Sequence, residues 1–120
     1  MALNIDSQMV AGIPTVYLQG DFDLDSAPRV RTLLESLTCR DSPAIRFHLG
    51  RLDCLDSVGL GVLVAGLKQA RDRNGSLSLI APPPIVERTL RITGLDKLFP
   101  IVTEDRPMSP ADEQAALAGQ

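Results

Sequence analysis

Tryptophan is absent from this 120-residue chain, and aromatic residues make up only 3% of it. The core is therefore expected to be aliphatic, and the stacked aromatic platforms that hold single-stranded nucleic acid are missing. Two cysteines, Cys39 and Cys54, and one histidine, His48, fit no short metal-binding motif, so free thiols and no metal site are expected. Positive charge is scarce as well. Twelve Lys and Arg stand against 15 Asp and Glu, a net charge of −3, which leaves no concentrated basic surface for direct nucleic-acid binding. No stretch approaches the roughly 20 apolar residues that span a bilayer. Asp6 interrupts any basic-then-apolar leader at the N-terminus, so a cytoplasmic location is expected.

What is present reads as an ordinary globular domain, with 44% hydrophobic and 22% charged residues. Leu3, Ile5 and, less regularly, Met9 suggest a first strand, Ala11-Gly12 a turn, and Pro14 to Leu18 a second strand, which pair most simply as an antiparallel hairpin. Gly20 to Leu24 breaks the alternation and reads as a loop with one or two apolar anchors. Asp25-Ser26-Ala27-Pro28 then signals a helix start, followed by Val30, Leu33, Leu34 and Leu37 at helical spacing. Ile45, Phe47 and Leu49 alternate with Arg46 and His48, predicting a strand over 44–49 with His48 on its less buried face. Gly50 to Cys54 leads into a helix from Ser57 to about Arg73, stopped by Asn74-Gly75. A strand over 76–80, a helix over 85–93 ending at Gly94 and a last short strand near Ile101-Val102 complete the order β-β-α-β-α-β-α-β. The expected architecture is one α/β domain over 1–102. Its mixed sheet starts as an antiparallel hairpin and continues by parallel β-α crossovers, with helices mainly on one face. Residues 103–120 form a separate tail, read either as a marginal helix capped by Ser109 or as a frayed end.

The stretch from Leu55 to Val64 concentrates the chemistry. Ser57 falls where a strand hands over to a helix, the place of an N-cap hydroxyl facing unpaired N–H groups. It can be a structural cap, a nucleophile or a phosphate acceptor. The hydrolase elbow G-x-S-x-G is broken, because Leu55 replaces its first glycine and His48 has no triad arrangement with Ser57. Gly59-Leu60-Gly61 lacks both the third glycine of a dinucleotide fingerprint and the lysine of a P-loop. A structural cap and a regulatory phosphate site remain, and the helix dipole would tolerate the added charge. Along the helix, Leu60, Leu63, Val64 and Leu67 share a face expected to pack on the sheet. Val58, Val62 and Ala65 fall nearly opposite, so either another element covers them or they form an apolar strip that a partner covers beside Ser57.

Leu55-Asp56-Ser57-Val58-Gly59-Leu60-Gly61-Val62-Leu63 closely resembles the D-S-[ST]-G-L-G-V-L segment of STAS domains, in particular bacterial anti-sigma factor antagonists. Gly20-Asp21-Phe22-Asp23 resembles that family's G-E-L-D loop, Phe47-His48-Leu49 its strand before the phosphorylation loop, and Gly94-Leu95 to Phe99 its G-L-x-x-x-F ending. Val58 stands where the family usually has Ser or Thr, and His48 where it often has Asp or Asn. The resemblance implies a binding module and not an enzyme. Its partners would be an anti-sigma factor with serine kinase activity, whose sequestration frees a sigma factor for transcription, and a serine phosphatase. Ser57 would be the phosphorylated residue, with Asp21, Asp23, Asp56, Val58, Gly59 and Val62 around it contacting the partner. ATP would belong to the kinase, so no cofactor is expected here, and homodimerisation is left open. The alternative is a non-switched STAS subunit or scaffold of a stress-signalling or lipid-transport complex.

Overall fold

The computed structural model describes residues 2–103. Strands β1 (Leu3–Val10) and β2 (Ile13–Phe22) are joined by Ala11 and Gly12, with φ of 52° and 78°. Positive φ at both central residues is what a primed two-residue hairpin turn needs, and Val10 pairs directly with Ile13. Then follow α1 (Ala27–Leu37), β3 (Ala44–Leu55), α2 (Ser57–Asp72), β4 (Ser76–Ile80), α3 (Pro84–Thr93), a single 3-10 turn (Leu95–Lys97) and β5 (Ile101–Val102). The sheet has the order β1-β2-β3-β4-β5, antiparallel between β1 and β2 and parallel thereafter. The expected mixed architecture is thus the observed one. The expected tail over 103–120 lies outside the described residues, apart from Thr103.

All three helices bury their apolar stripes on the same side of the sheet. Val16 and Leu18 from β2, Ile45, Phe47 and Leu49 from β3, and Leu77 and Leu79 from β4 form one cluster with Val30 and Leu34 of α1, Leu63 and Leu67 of α2, and Val86 and Leu90 of α3. Period-two alternation places these strand residues on one face. The hydrophobic effect acting on that face holds the layers together.

Part of the segment read as a loop, and the lead-in from Gly50 to Cys54, are strand. β2 continues through Gly20, Asp21 and Phe22, and β3 continues through Leu55, with Gly20 opposite Leu52, Asp21 opposite Cys54 and Phe22 opposite Leu55. The pairing slips between Tyr17 and Gln19 and again between Gly20 and Asp21, each time leaving an extra residue on β3. Such bulges destroy the alternation from which a strand is read, while the ladder itself carries on. Pairing with β4 stops at His48 opposite Ile80. β2 and β3 therefore outrun the rest of the sheet as a two-stranded extension, and α2 begins at its tip.

Helix α2 also presents a different face from the expected one. Its buried residues are Gly59, Leu60, Val62, Leu63, Gly66, Leu67 and Ala70. Val62, expected on the outward strip, is only 1% exposed and belongs to the core. Small residues explain the rotation. A Cβ on Gly66 would stand 2.7 Å from Leu34 Cδ1, so α1 and α2 approach each other there more closely than a larger side chain permits. Gly59, Gly66 and Ala70 lie at the centre of the buried arc, and the large apolar residues flank it. Judged by large side chains alone, the helix is misphased by about 70°, roughly a fifth of a turn, at 100° per residue.

Candidate functional site

Ser57 is the first residue of α2, and it is exposed. The N-cap is not Ser57 but its neighbour. Asp56 adopts extended backbone geometry and its Oδ1 accepts a hydrogen bond of 2.9 Å from the N–H of Gly59. An acceptor at that position satisfies one of the helix's orphan donors, and its charge suits the positive end of the dipole. The expectation that Ser57 caps the helix is corrected accordingly: a carboxylate one residue earlier does so. Ser57 is left at the first helical position with a hydroxyl that makes no hydrogen bond among the described residues.

The junction is fastened to β2. The N–H of Asp56 donates to the carbonyl of Phe22 (3.2 Å), and the carbonyl of Asp56 accepts from Leu60 (3.0 Å). Gly59 lies against the same point: a Cβ there would stand 2.8 Å from Phe22 O, 2.8 Å from Leu55 Cδ1 and 3.1 Å from Phe22 Cδ1. Gly59 thus acts from the buried side, holding the first turn of α2 onto the end of β2.

The loop after Phe22 is shaped by Asp23 and Ser26. The Asp23 carboxylate accepts from the N–H of Ser26 (3.2 Å) and its hydroxyl (3.1 Å), while the N–H of Asp23 donates to Ser26 Oγ (2.9 Å). Ser26 precedes α1 without capping it through its side chain; its hydroxyl is spent on this loop. This reciprocal arrangement fixes the loop between β2 and α1. Asp21 lies within β2, opposite Cys54, and is partly buried.

Asp21, Asp23, Asp56 and Ser57 are therefore gathered at the end of the β2–β3 extension. Val58 is partly buried against the core, Gly59 is buried, and Val62 is withdrawn from the surface. Two exposed apolar residues follow from the elements that meet at the junction. Leu24, two residues beyond Phe22, is 68% exposed, so of the two apolar residues in that segment only Phe22 anchors it. Ile85, at the start of α3, is 64% exposed and lines a shallow cleft with Asp53, Cys54, Leu55, Val86 and Thr89. Neither stood out as a contact residue in the sequence. Leu24 follows a motif whose other members are polar or buried, and Ile85 follows three prolines that mark a turn. The site joins a carboxylate-rich rim, one exposed hydroxyl and exposed aliphatic groups. His48, on the outer face of β3, stacks on Tyr17 with ring centroids 5.2 Å apart and accepts from the N–H of Gly50 through Nδ1. It has no place in the Ser57 junction. Cys39 and Cys54 are free and exposed.

A family model described as "Mlab, STAS domain" matches residues 6–103. The chain is 30% identical over 94 residues to a protein of Listeria monocytogenes named an anti-sigma-B factor antagonist, covering 78% of this chain and 82% of that one. It is 31% identical over 102 residues to an anti-sigma F factor antagonist of Paenibacillus polymyxa, covering 84% and 87%. The crystal structure of an anti-sigma factor antagonist from Mycobacterium paratuberculosis superposes with a TM-score of 0.77 at 25% identity, covering 98% of this chain and 95% of that one. With the sheet order, the Ser57 junction and these similarities together, the chain belongs to the STAS domain family, in the company of anti-sigma factor antagonists.

Proposed function

We propose that this protein is an anti-sigma factor antagonist, which binds an anti-sigma factor with serine kinase activity, so releases a sigma factor, and is switched off by phosphorylation of Ser57. The observation that carries this reading is the division of labour at the start of α2. Asp56 supplies the capping oxygen, and Ser57 stands exposed with its hydroxyl uncommitted. A kinase can therefore modify Ser57 without removing a bond on which the helix depends. The phosphate would add about −1.5 to −2 charges at the helix N-terminus, where the dipole favours them, beside Asp56, which does not. These opposed effects leave the fold in place and change the surface.

A docked partner would experience the same change differently. New charge would join a surface that exposes Leu24, two residues past Phe22, and Ile85, which shares a cleft with Leu55; their apolar groups gain from contact only when water leaves both surfaces. Phosphorylation would therefore release the partner by desolvation cost and charge repulsion, while a phosphatase would restore binding. The chemistry of ATP would belong to the kinase.

The test is incubation with a kinase encoded near the gene, with ATP, followed by intact-mass measurement. One added phosphate is expected on the wild type and none on Ser57→Ala. Ser57→Asp should fail to hold the anti-sigma factor in a pull-down that Ser57→Ala passes. Phosphate at another residue would overturn the switch. A complex that persists whatever the state of Ser57 would point to a non-switched subunit instead.

A further inference from the structure

Among the described residues the sheet ends in β1 on one side and β5 on the other, and the two edges differ in kind. β5 is only Ile101–Val102, too short to template another strand. β1 runs eight residues, Leu3–Val10, in unbroken register with β2. Edges of that length are ordinarily blunted by a bulge, a proline or a lysine. β1 carries none of these, and its single charge is Asp6.

Which backbone groups β1 offers follows from the hairpin. A two-residue turn is closed by a hydrogen-bonded pair, here Val10 and Ile13, and such pairs recur at every second residue. Asn4, Asp6, Gln8 and Val10 therefore bond to β2, while Leu3, Ile5, Ser7 and Met9 turn their N–H and carbonyl groups outward. The first of these is already engaged, because the carbonyl of Leu3 accepts from Arg29 Nη1 at 2.9 Å. Among the described residues, Ile5, Ser7 and Met9 remain as an open ladder.

We propose that a second copy of this chain docks on that ladder, with β1 antiparallel to β1 about a twofold axis at Ser7. Complementarity selects both the occupant and the register. Ser7 falls opposite the partner's Ser7 and Ile5 opposite the partner's Met9, so all the open groups pair. Met9, 64% exposed in the single chain, gains an aliphatic neighbour. On the other face Gln8 falls opposite the partner's Asp6, an amide donor against a carboxylate; within one chain Gln8 Nε2 already reaches Asp6 Oδ2 at 2.8 Å. Moving the axis to Asp6 would set like charges face to face and draw the engaged Leu3 into the ladder. Moving it to Gln8 would leave Ile5 opposite the turn, unpaired.

The experiment uses the full chain in sedimentation equilibrium. An interface this small associates weakly, so the run extends from about 10 µM to about 500 µM, where a Kd of about 100 µM makes most chains dimeric. The weight-average mass of the wild type should rise about 1.5-fold across that range, and that of Ser7→Lys should not rise. A wild type that stays at one chain's mass, whether its edge is bare or occupied otherwise, would overturn the proposal. So would association that Ser7→Lys leaves intact, because the interface would then lie elsewhere. A second arm keeps the fold undisturbed and reads the register. In the Cys39→Ser, Cys54→Ser background, Ser7→Cys places two thiols on residues whose Cα atoms are about 5.5 Å apart, within reach of a disulfide. Covalent dimer should form at least about fivefold faster with Ser7→Cys than with Asp6→Cys or Gln8→Cys alone, whose like residues stand beyond disulfide reach. Asp6→Cys and Gln8→Cys chains should cross-link readily when mixed. Cross-linking fastest with Asp6→Cys alone, or equal at all these positions, would refute the register.

Discussion

Replacing Gly59 by alanine adds one methyl group at the point where α2 meets β2, and its effect can be set against the same change at Gly61, two residues on. Both glycines are inside the helix, where alanine is favoured by about 1 kcal/mol. At Gly61 a Cβ meets nothing within 4 Å, so the propensity gain should appear undiminished. At Gly59 it would stand 2.8 Å from the carbonyl oxygen of Phe22, and that oxygen is held in place because it accepts the N–H of Asp56. Overpacking of this kind costs about 1–3 kcal/mol, so Gly59→Ala should lose about 1 kcal/mol net of the helix preference. Gly61→Ala should gain about 1 kcal/mol, and the two variants should differ in Tm by roughly 8 °C. Urea unfolding followed by circular dichroism gives both values on one scale. If Gly59→Ala is stabilised as much as Gly61→Ala, the contact between α2 and the end of β2 does not restrict the helix, and the reasoning fails.

Asp56→Ala should cost about 1 kcal/mol of stability through loss of the cap, and Asp56→Asn should restore most of it, as measured by the same urea titration. Val62→Ala should cost about 2 kcal/mol, and Val62→Asp should abolish the cooperative transition, because a carboxylate would replace a core side chain. A normal transition in Val62→Asp would place that residue back on the surface. Ser57→Asp should change stability by less than about 1 kcal/mol, since the dipole and the Asp56 carboxylate act on the new charge in opposite directions. A larger loss in thermal unfolding would mean that the first turn of α2 depends on the serine.

Residues with regular alternation or clear punctuation were legible in the sequence. The strand at Ser76–Ile80, the turn at Ala11-Gly12 and the helix stop at Gly94 all occur where local chemistry marks them. Gly94 takes a left-handed φ of 77°, as a helix-ending glycine does. The extension formed by Gly20–Phe22 and Leu52–Leu55 was hidden because bulges on β3 interrupt the period-two signal. The site inherits this effect. Its members could be named, but the ladder that brings Asp21, Asp23 and Asp56 together is a long-range pairing that no local pattern encodes. The rotation of α2 escaped for another reason. A glycine at the centre of a buried face contributes no hydrophobic signal, although at Gly66 its smallness decides how closely Leu34 approaches. The cap passed from Ser57 to Asp56 because both are good N-cap residues and only backbone geometry chooses between neighbours.

Strand order across the sheet repeats strand order along the chain, from β1 at one edge to β5 at the other. Each strand from β2 onward docks on the one made just before it. A polypeptide emerging from the ribosome N-terminus first therefore always presents a finished edge to the next arrival, and no strand has to be inserted between two that are already paired. Sequence separations between partners stay short, which favours rapid assembly. By the time Ser57 emerges, all of β3 has been synthesised and can already have paired along β2. The Ser57 junction can thus take shape while the second half of the chain is still being translated.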